Sequence, residues 1–101
     1  MSMLQGNIDG EIIITLPQNF AVEEAARLRD ELNEYMKKDI KRFVISFSQC
    51  EFIDSTGLGV IVGAFKKCTE LNGSLKLRTI NANVMSIFKL TRLDKVFVIE
   101  K

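Results

Sequence analysis

An α/β fold with a mixed β-sheet and helices mainly on one face is predicted by three features of this sequence. Segments with strand-type alternation recur between segments of helical periodicity, in the order ββαβαβαβ. The strands alternate polar and apolar residues instead of running continuously apolar, so each turns one side to a core and one to water. An Asp9-Gly10 dipeptide stands between the first two strands, where a tight hairpin turn reverses the chain. The 101 residues, 47% of them hydrophobic, suit one domain over residues 1–101 with a genuine core.

Met3 to Ile8 reads as the first strand and Glu11 to Leu16 as its hairpin partner. Pro17 ends the second strand because it cannot donate to a ladder. Ala21 to Lys38 is helical, with Ala25, Leu28, Leu32, Tyr35 and Met36 on one stripe and the charged residues largely off it. Glu23 and Glu24 suit the positive end of that helix dipole, and Lys37 and Lys38 the negative end. Arg42 to Ser48 is a strand with Phe43, Ile45 and Phe47 on one face and Val44, Ser46 and Ser48 on the other.

Leu58 to Leu71 is a second helix, its inner stripe Leu58, Ile61, Val62, Phe65 and Cys68. Asn72-Gly73 closes it, with glycine as the left-handed residue past the helix end. Ser74 to Thr79 is a strand with Leu75 and Leu77 inward, Val84 to Leu90 a short third helix, and Val96 to Ile99 the last strand. Strand–helix–strand units imply parallel neighbours joined by right-handed crossovers.

Composition removes several function classes. Without histidine there is no Ser-His-Asp or Cys-His catalytic set and no imidazole metal ligand. The net charge of +1 is far from the basic excess of a nucleic-acid binder, so no direct nucleic-acid contact is expected. Cys50 and Cys68 have neither C-x-x-C nor metal-ligand spacing, and two cysteines without a leader suit a reducing compartment. The start carries no basic and apolar signal, and the run from Leu58 to Phe65 is far short of the ~20 residues of a membrane span. A cytoplasmic protein with no membrane insertion and no cofactor is expected.

Phe52 to Val60 does not read as a plain connection. Asp54, Ser55 and Thr56 stand at a strand–turn–helix junction, followed by Gly57, Leu58 and Gly59. Glycine costs about 1 kcal/mol in a helix interior relative to alanine, so two so close together need a reason. Close backbone approach, by a partner or by a phosphate at free N–H groups, is such a reason. Either Asp54 or Ser55 is placed to cap the helix. A phosphate on Ser55 would sit at the helix N-terminus, favoured by the dipole and opposed by Asp54. Thr56 is a surface hydroxyl or a second acceptor. With no base nearby Ser55 is a poor nucleophile, and Gly57-Leu58-Gly59 lacks the lysine of a P-loop.

Asp54-Ser55-Thr56-Gly57-Leu58-Gly59 after an apolar strand resembles the signature of the anti-sigma factor antagonists of the STAS domain family. The Phe52-Ile53 lead-in, Val60-Ile61-Val62 and the close from Thr91 to Phe97 are also similar, so the likeness covers most of the chain. The resemblance implies a partner-switching module. Its partner is an anti-sigma factor that is also a serine kinase, with the ATP-binding fold of the histidine kinases. The kinase phosphorylates the position matching Ser55 and affinity falls; a serine phosphatase reverses the mark. The chain would be ligand and substrate in that cycle, not an enzyme.

The sequence departs from the family pattern at three places. Ala21 stands where the family often has an aspartate, Ser46 where the third strand has another, and Arg92 where a glycine precedes Leu93. The partner-binding set expected from motif and rim is Asp54, Ser55, Thr56, Gly57, Leu58 and Gly59 with Asn19 and Phe20. Phe20 is either a partner anchor or a lid on the core. Lys66 and Lys67 are a solvated helix face or steer an acidic partner. A STAS scaffold or subunit of a larger signalling or membrane-transport assembly, with Ser55 only a cap, is the alternative role.

Overall fold

A computed structural model of the chain describes residues 4–8 and 10–100. Along the chain run β1 (Leu4–Ile8), β2 (Glu11–Thr15), β3 (Asn19–Phe20), α1 (Val22–Lys37), β4 (Arg42–Ser46) and β5 (Phe52–Ile53). Then follow α2 (Ser55–Glu70), β6 (Ser74–Arg78), α3 (Ala82–Leu90), a 3-10 turn (Leu93–Lys95) and β7 (Val98–Glu100). Five strands form the main sheet in the order β1-β2-β4-β6-β7. The first pair is antiparallel and the other three pairs are parallel, as expected for a mixed sheet.

The hairpin is present, with Ile8 opposite Glu11 and Gly10 at φ +81°, a conformation that favours glycine. Met3 and Asp9, named in the expected strand and turn, lie outside the described residues.

The helices collect on one face of the sheet. Ile12, Ile14, Phe43, Ile45, Leu75 and Leu77 meet Ala25, Leu28 and Leu32 of α1, Ile61 and Cys68 of α2, and Val84 and Phe88 of α3 in one buried cluster. An aromatic chain ties its far end together: Phe47 to Phe88 at 5.9 Å, Phe88 to Phe97 at 5.9 Å and Phe97 to Phe65 at 4.9 Å between ring centroids. On the opposite face Glu11 lies between Lys76 at 3.4 Å and Arg42 at 3.9 Å. Val44 and Ser46 were expected there as wet positions, yet both are buried. Val44 occupies the central strand between Ile13 and Lys76, and those two flanking chains shield it.

Four local expectations need correcting. The second helix begins at Ser55, not Leu58, because Asp54 caps it. The last strand begins at Val98, because the chain first makes a 3-10 turn after Arg92, which sits at φ +61°. The left-handed residue after α2 is Asn72, at φ +61°, not Gly73. Gly73 is needed for close approach instead: a Cβ there would lie 2.0 Å from the Lys41 carbonyl oxygen. Finally, the two-residue strands β3 and β5 form a small parallel sheet that local periodicity did not reveal.

Candidate functional site

The small sheet builds the site. Leaving β2, the chain passes Pro17 and must satisfy its backbone away from the main ladder. Gln18 does so by accepting from the N–H of Glu51 at 2.9 Å and of Phe52 at 3.1 Å. Asn19 then pairs with Phe52 and Phe20 with Ile53. The period of two decides which side chains face out. Phe20 and Ile53 are buried, while Asn19 and Phe52 are exposed.

Phe20 is therefore a core residue. At 0% exposure its ring offers nothing to a partner, and the anchor role expected as one possibility is withdrawn in favour of the lid. Phe52, 52% exposed on the same rim, is the aromatic side chain that a partner can reach. Sequence reading missed it because Phe52 stands only as part of the lead-in to the motif; the β3–β5 pairing turns it outward.

The motif is divided among distinct tasks. Asp54 is the N-cap of α2: its backbone is extended and its Oδ1 accepts from the Gly57 N–H at 2.8 Å. Its carbonyl accepts from the Leu58 N–H at 3.0 Å, continuing the helix ladder. Ser55 and Thr56, the first two helical residues, are exposed, and no described group bonds to their hydroxyls or accepts from their N–H groups. Gly57 is buried, and a Cβ there would lie 2.7 Å from the Phe20 carbonyl oxygen and 2.8 Å from its ring. Leu58 is half-buried against the core. Gly59 is exposed, with nothing within 4 Å of where a Cβ would stand. Close approach thus explains Gly57 but not Gly59.

The three departures from the family pattern fall at structurally defined positions. Ala21 is the N-cap of α1 and makes no side-chain cap. Ser46 is buried at the end of β4, where its hydroxyl donates to Ser48 Oγ at 3.2 Å. A neutral hydroxyl pair thus occupies the place of a carboxylate. Arg92 holds the left-handed position that a glycine would adopt freely.

The segments that lead into α1 and α2 beside Ser55 carry carboxylates and no cations. Residues 17–26 and 47–65 contain Glu23, Glu24, Glu51 and Asp54 but no lysine or arginine. An anion added at Ser55 would find no countercharge in the segments that build the rim. The thiols take no part. Cys50 is buried, and its Sγ donates to the Phe52 carbonyl at 3.4 Å; burial pushes its pKa up. Burial likewise pushes the Cys68 thiol up to about 11, Lys67 acting weakly the other way. Among the described residues no three histidine, cysteine or carboxylate side chains are grouped to hold a metal ion, and no helix is long and apolar enough to cross a membrane.

Comparison with known proteins bears on this geometry. The family model of the STAS domain matches residues 4–101. The anti-sigma-B factor antagonist of Bacillus subtilis is 34% identical over 95 residues, which are 92% of this chain and 77% of that protein. The crystal structure of a candidate anti-sigma factor antagonist from Thermotoga maritima superposes with a TM-score of 0.90 at 27% identity, covering 98% of this chain and 86% of that one. A Bacillus cell fate determinant solved in its phosphorylated form superposes with a TM-score of 0.80, covering 99% of this chain and 92% of that one. At 14% identity that last likeness is one of fold.

Proposed function

The chain belongs to the STAS domain family, and from that premise we propose that it is an anti-sigma factor antagonist whose partner is an anti-sigma factor serine kinase and whose switch is phosphorylation of Ser55. The observation that carries the reading is the division of labour at the start of α2. Asp54 caps the helix, which leaves the Ser55 hydroxyl exposed and without a structural task.

In this reading the kinase docks on the rim around Asp54, Ser55 and Thr56, with Asn19 and Gly59 beside them, and releases its sigma factor. Gly57 and Leu58 shape that surface from below. The kinase then transfers the γ-phosphoryl group of its own ATP to Ser55. The Ser55 Oγ–P bond forms, the bond between the γ-phosphorus and the β,γ-bridging oxygen breaks, ADP leaves, and a base on the kinase takes the hydroxyl proton. A cytoplasmic serine phosphatase restores the hydroxyl by hydrolysis. The chain itself supplies no catalytic group.

Charge explains the release. Phosphate adds about −1.5 to −2 beside Asp54 and must be desolvated on docking. A partner with no cation at that point loses affinity by several kcal/mol, and 1.4 kcal/mol is already tenfold.

The test uses the anti-sigma factor kinase of the chain's own host. Ser55→Asp is expected to weaken binding at least tenfold in a calorimetric titration. Ser55→Ala should keep the affinity and gain no mass on incubation with kinase and ATP. Equal affinity of the two variants refutes the switch. Recovery of the chain in a large assembly, with Ser55 never modified, assigns it the scaffold role.

A further inference from the structure

We propose that the groove between α1 and α2 receives a helix of the partner, laid against Gly59 and Gly63 with its carboxylates toward Arg29 and Lys67. The inference rests on the antagonist reading and adds a second contact region to it. The groove encloses about 410 Å³ and begins at Thr56, next to Ser55. From Thr56 it runs along α2 to Lys67, roughly 16 Å at the rise of an α-helix.

Two observations point to its occupant. The first is the pair of glycines. Gly59 and Gly63 are four apart on α2, so they share one face, and both line the groove. A Cβ at either position would meet nothing within 4 Å, unlike Gly57, where Phe20 excludes one. Nothing inside this chain therefore calls for glycine, the poorest helix former after proline, at either place. A backbone arriving from outside, close enough to exclude a methyl group, does call for it.

The second is charge. Arg29 and Lys67 line the groove and no carboxylate does. Lys67 Nζ donates to the neutral Asn33 Oδ1 at 3.0 Å and pairs with no carboxylate among the described residues. Arg29 is met by its neighbour Asp30 at 3.5 Å. This is the reverse of the rim, where carboxylates collect and cations are lacking. A matching segment carries its carboxylates away from Ser55, a few turns along the groove, and an apolar stripe over the half-buried Met36 of α1 and Val60 and Ala64 of α2. An amphipathic helix meets both demands in one element.

Alanine substitution separates a structural glycine from an interface glycine. Gly59→Ala and Gly63→Ala, singly and together, are melted and then titrated into the host's anti-sigma factor kinase beside wild type and Ser55→Asp. Each variant is expected to raise Tm by a few degrees, since the helix gains propensity without a clash. Each is also expected to bind at least tenfold more weakly, and Lys67→Glu to do the same. Because Gly59 also borders the Ser55 rim, Gly63→Ala decides: wild-type affinity in that variant overturns the groove, while a Ser55→Asp loss in the same series leaves the antagonist reading standing. No binding by wild type overturns both.

Discussion

Asp54 and Ser55 are adjacent, chemically similar as caps, and used differently. The sequence leaves open which of them caps α2, because either side chain can reach an N–H two or three residues on. The answer depends on where the helix starts, and it starts at Ser55, so Asp54 is the cap. Removing the carboxylate in Asp54→Ala should therefore cost about 1 kcal/mol. That lowers Tm by roughly 4–8 °C in a domain of this size. A thermal melt followed by circular dichroism checks it, and an unchanged Tm assigns the cap elsewhere. Phe20 and Phe52 teach the same lesson. Both are aromatic residues near the motif, yet one is fully buried and the other half-exposed. A pairing between residues far apart in sequence decides it, and no local pattern contains that pairing.

At the level of elements, the main sheet and its three helices were legible, because each buries one face and the period of two or 3.6 shows through. What escaped were short pieces held by backbone alone. β3 and β5 are two residues each, too short for a period, and the 3-10 turn is three. Helix α1 carries a second consequence. Its N-cap, Ala21, leaves the first-turn N–H groups without a side-chain acceptor. Ala21→Asp should supply one and stabilise the fold by about 1 kcal/mol, read as a rise in the urea midpoint at unchanged slope. The midpoint would stay fixed if the turn around Phe20 cannot admit the cap geometry. Arg92 shows the opposite economy. Its left-handed backbone, at φ +61°, turns the chain so that Phe97 reaches Phe88 and Phe65, a packing gain set against local strain.

The whole molecule answers to pH through its buried thiols. Cys68 has its pKa raised from 9.0 to about 11, and Cys50 is raised as well, both by burial. A raised pKa means that the folded state keeps a proton which the unfolded chain gives up. The contribution is thus complete below pH 9 and is lost as pH climbs toward 11. Stability measured by urea titration should fall over that window, and Cys68→Ala should flatten the fall. An equally steep decline in the variant would point to other groups. The cap at Asp54 has one more consequence for the molecule as a whole. Since the Ser55 hydroxyl bonds to no described group, marking it does not require the helix, the small sheet or the core to give up a bond. In the partner-switching cycle proposed above the chain would behave as a record, not a lever: it would hold one bit, written by one enzyme and erased by another. The bit is legible only to a surface that must lie against it. On that proposal neither writing nor erasing would break a hydrogen bond of the fold, so the same copy could be used again and again.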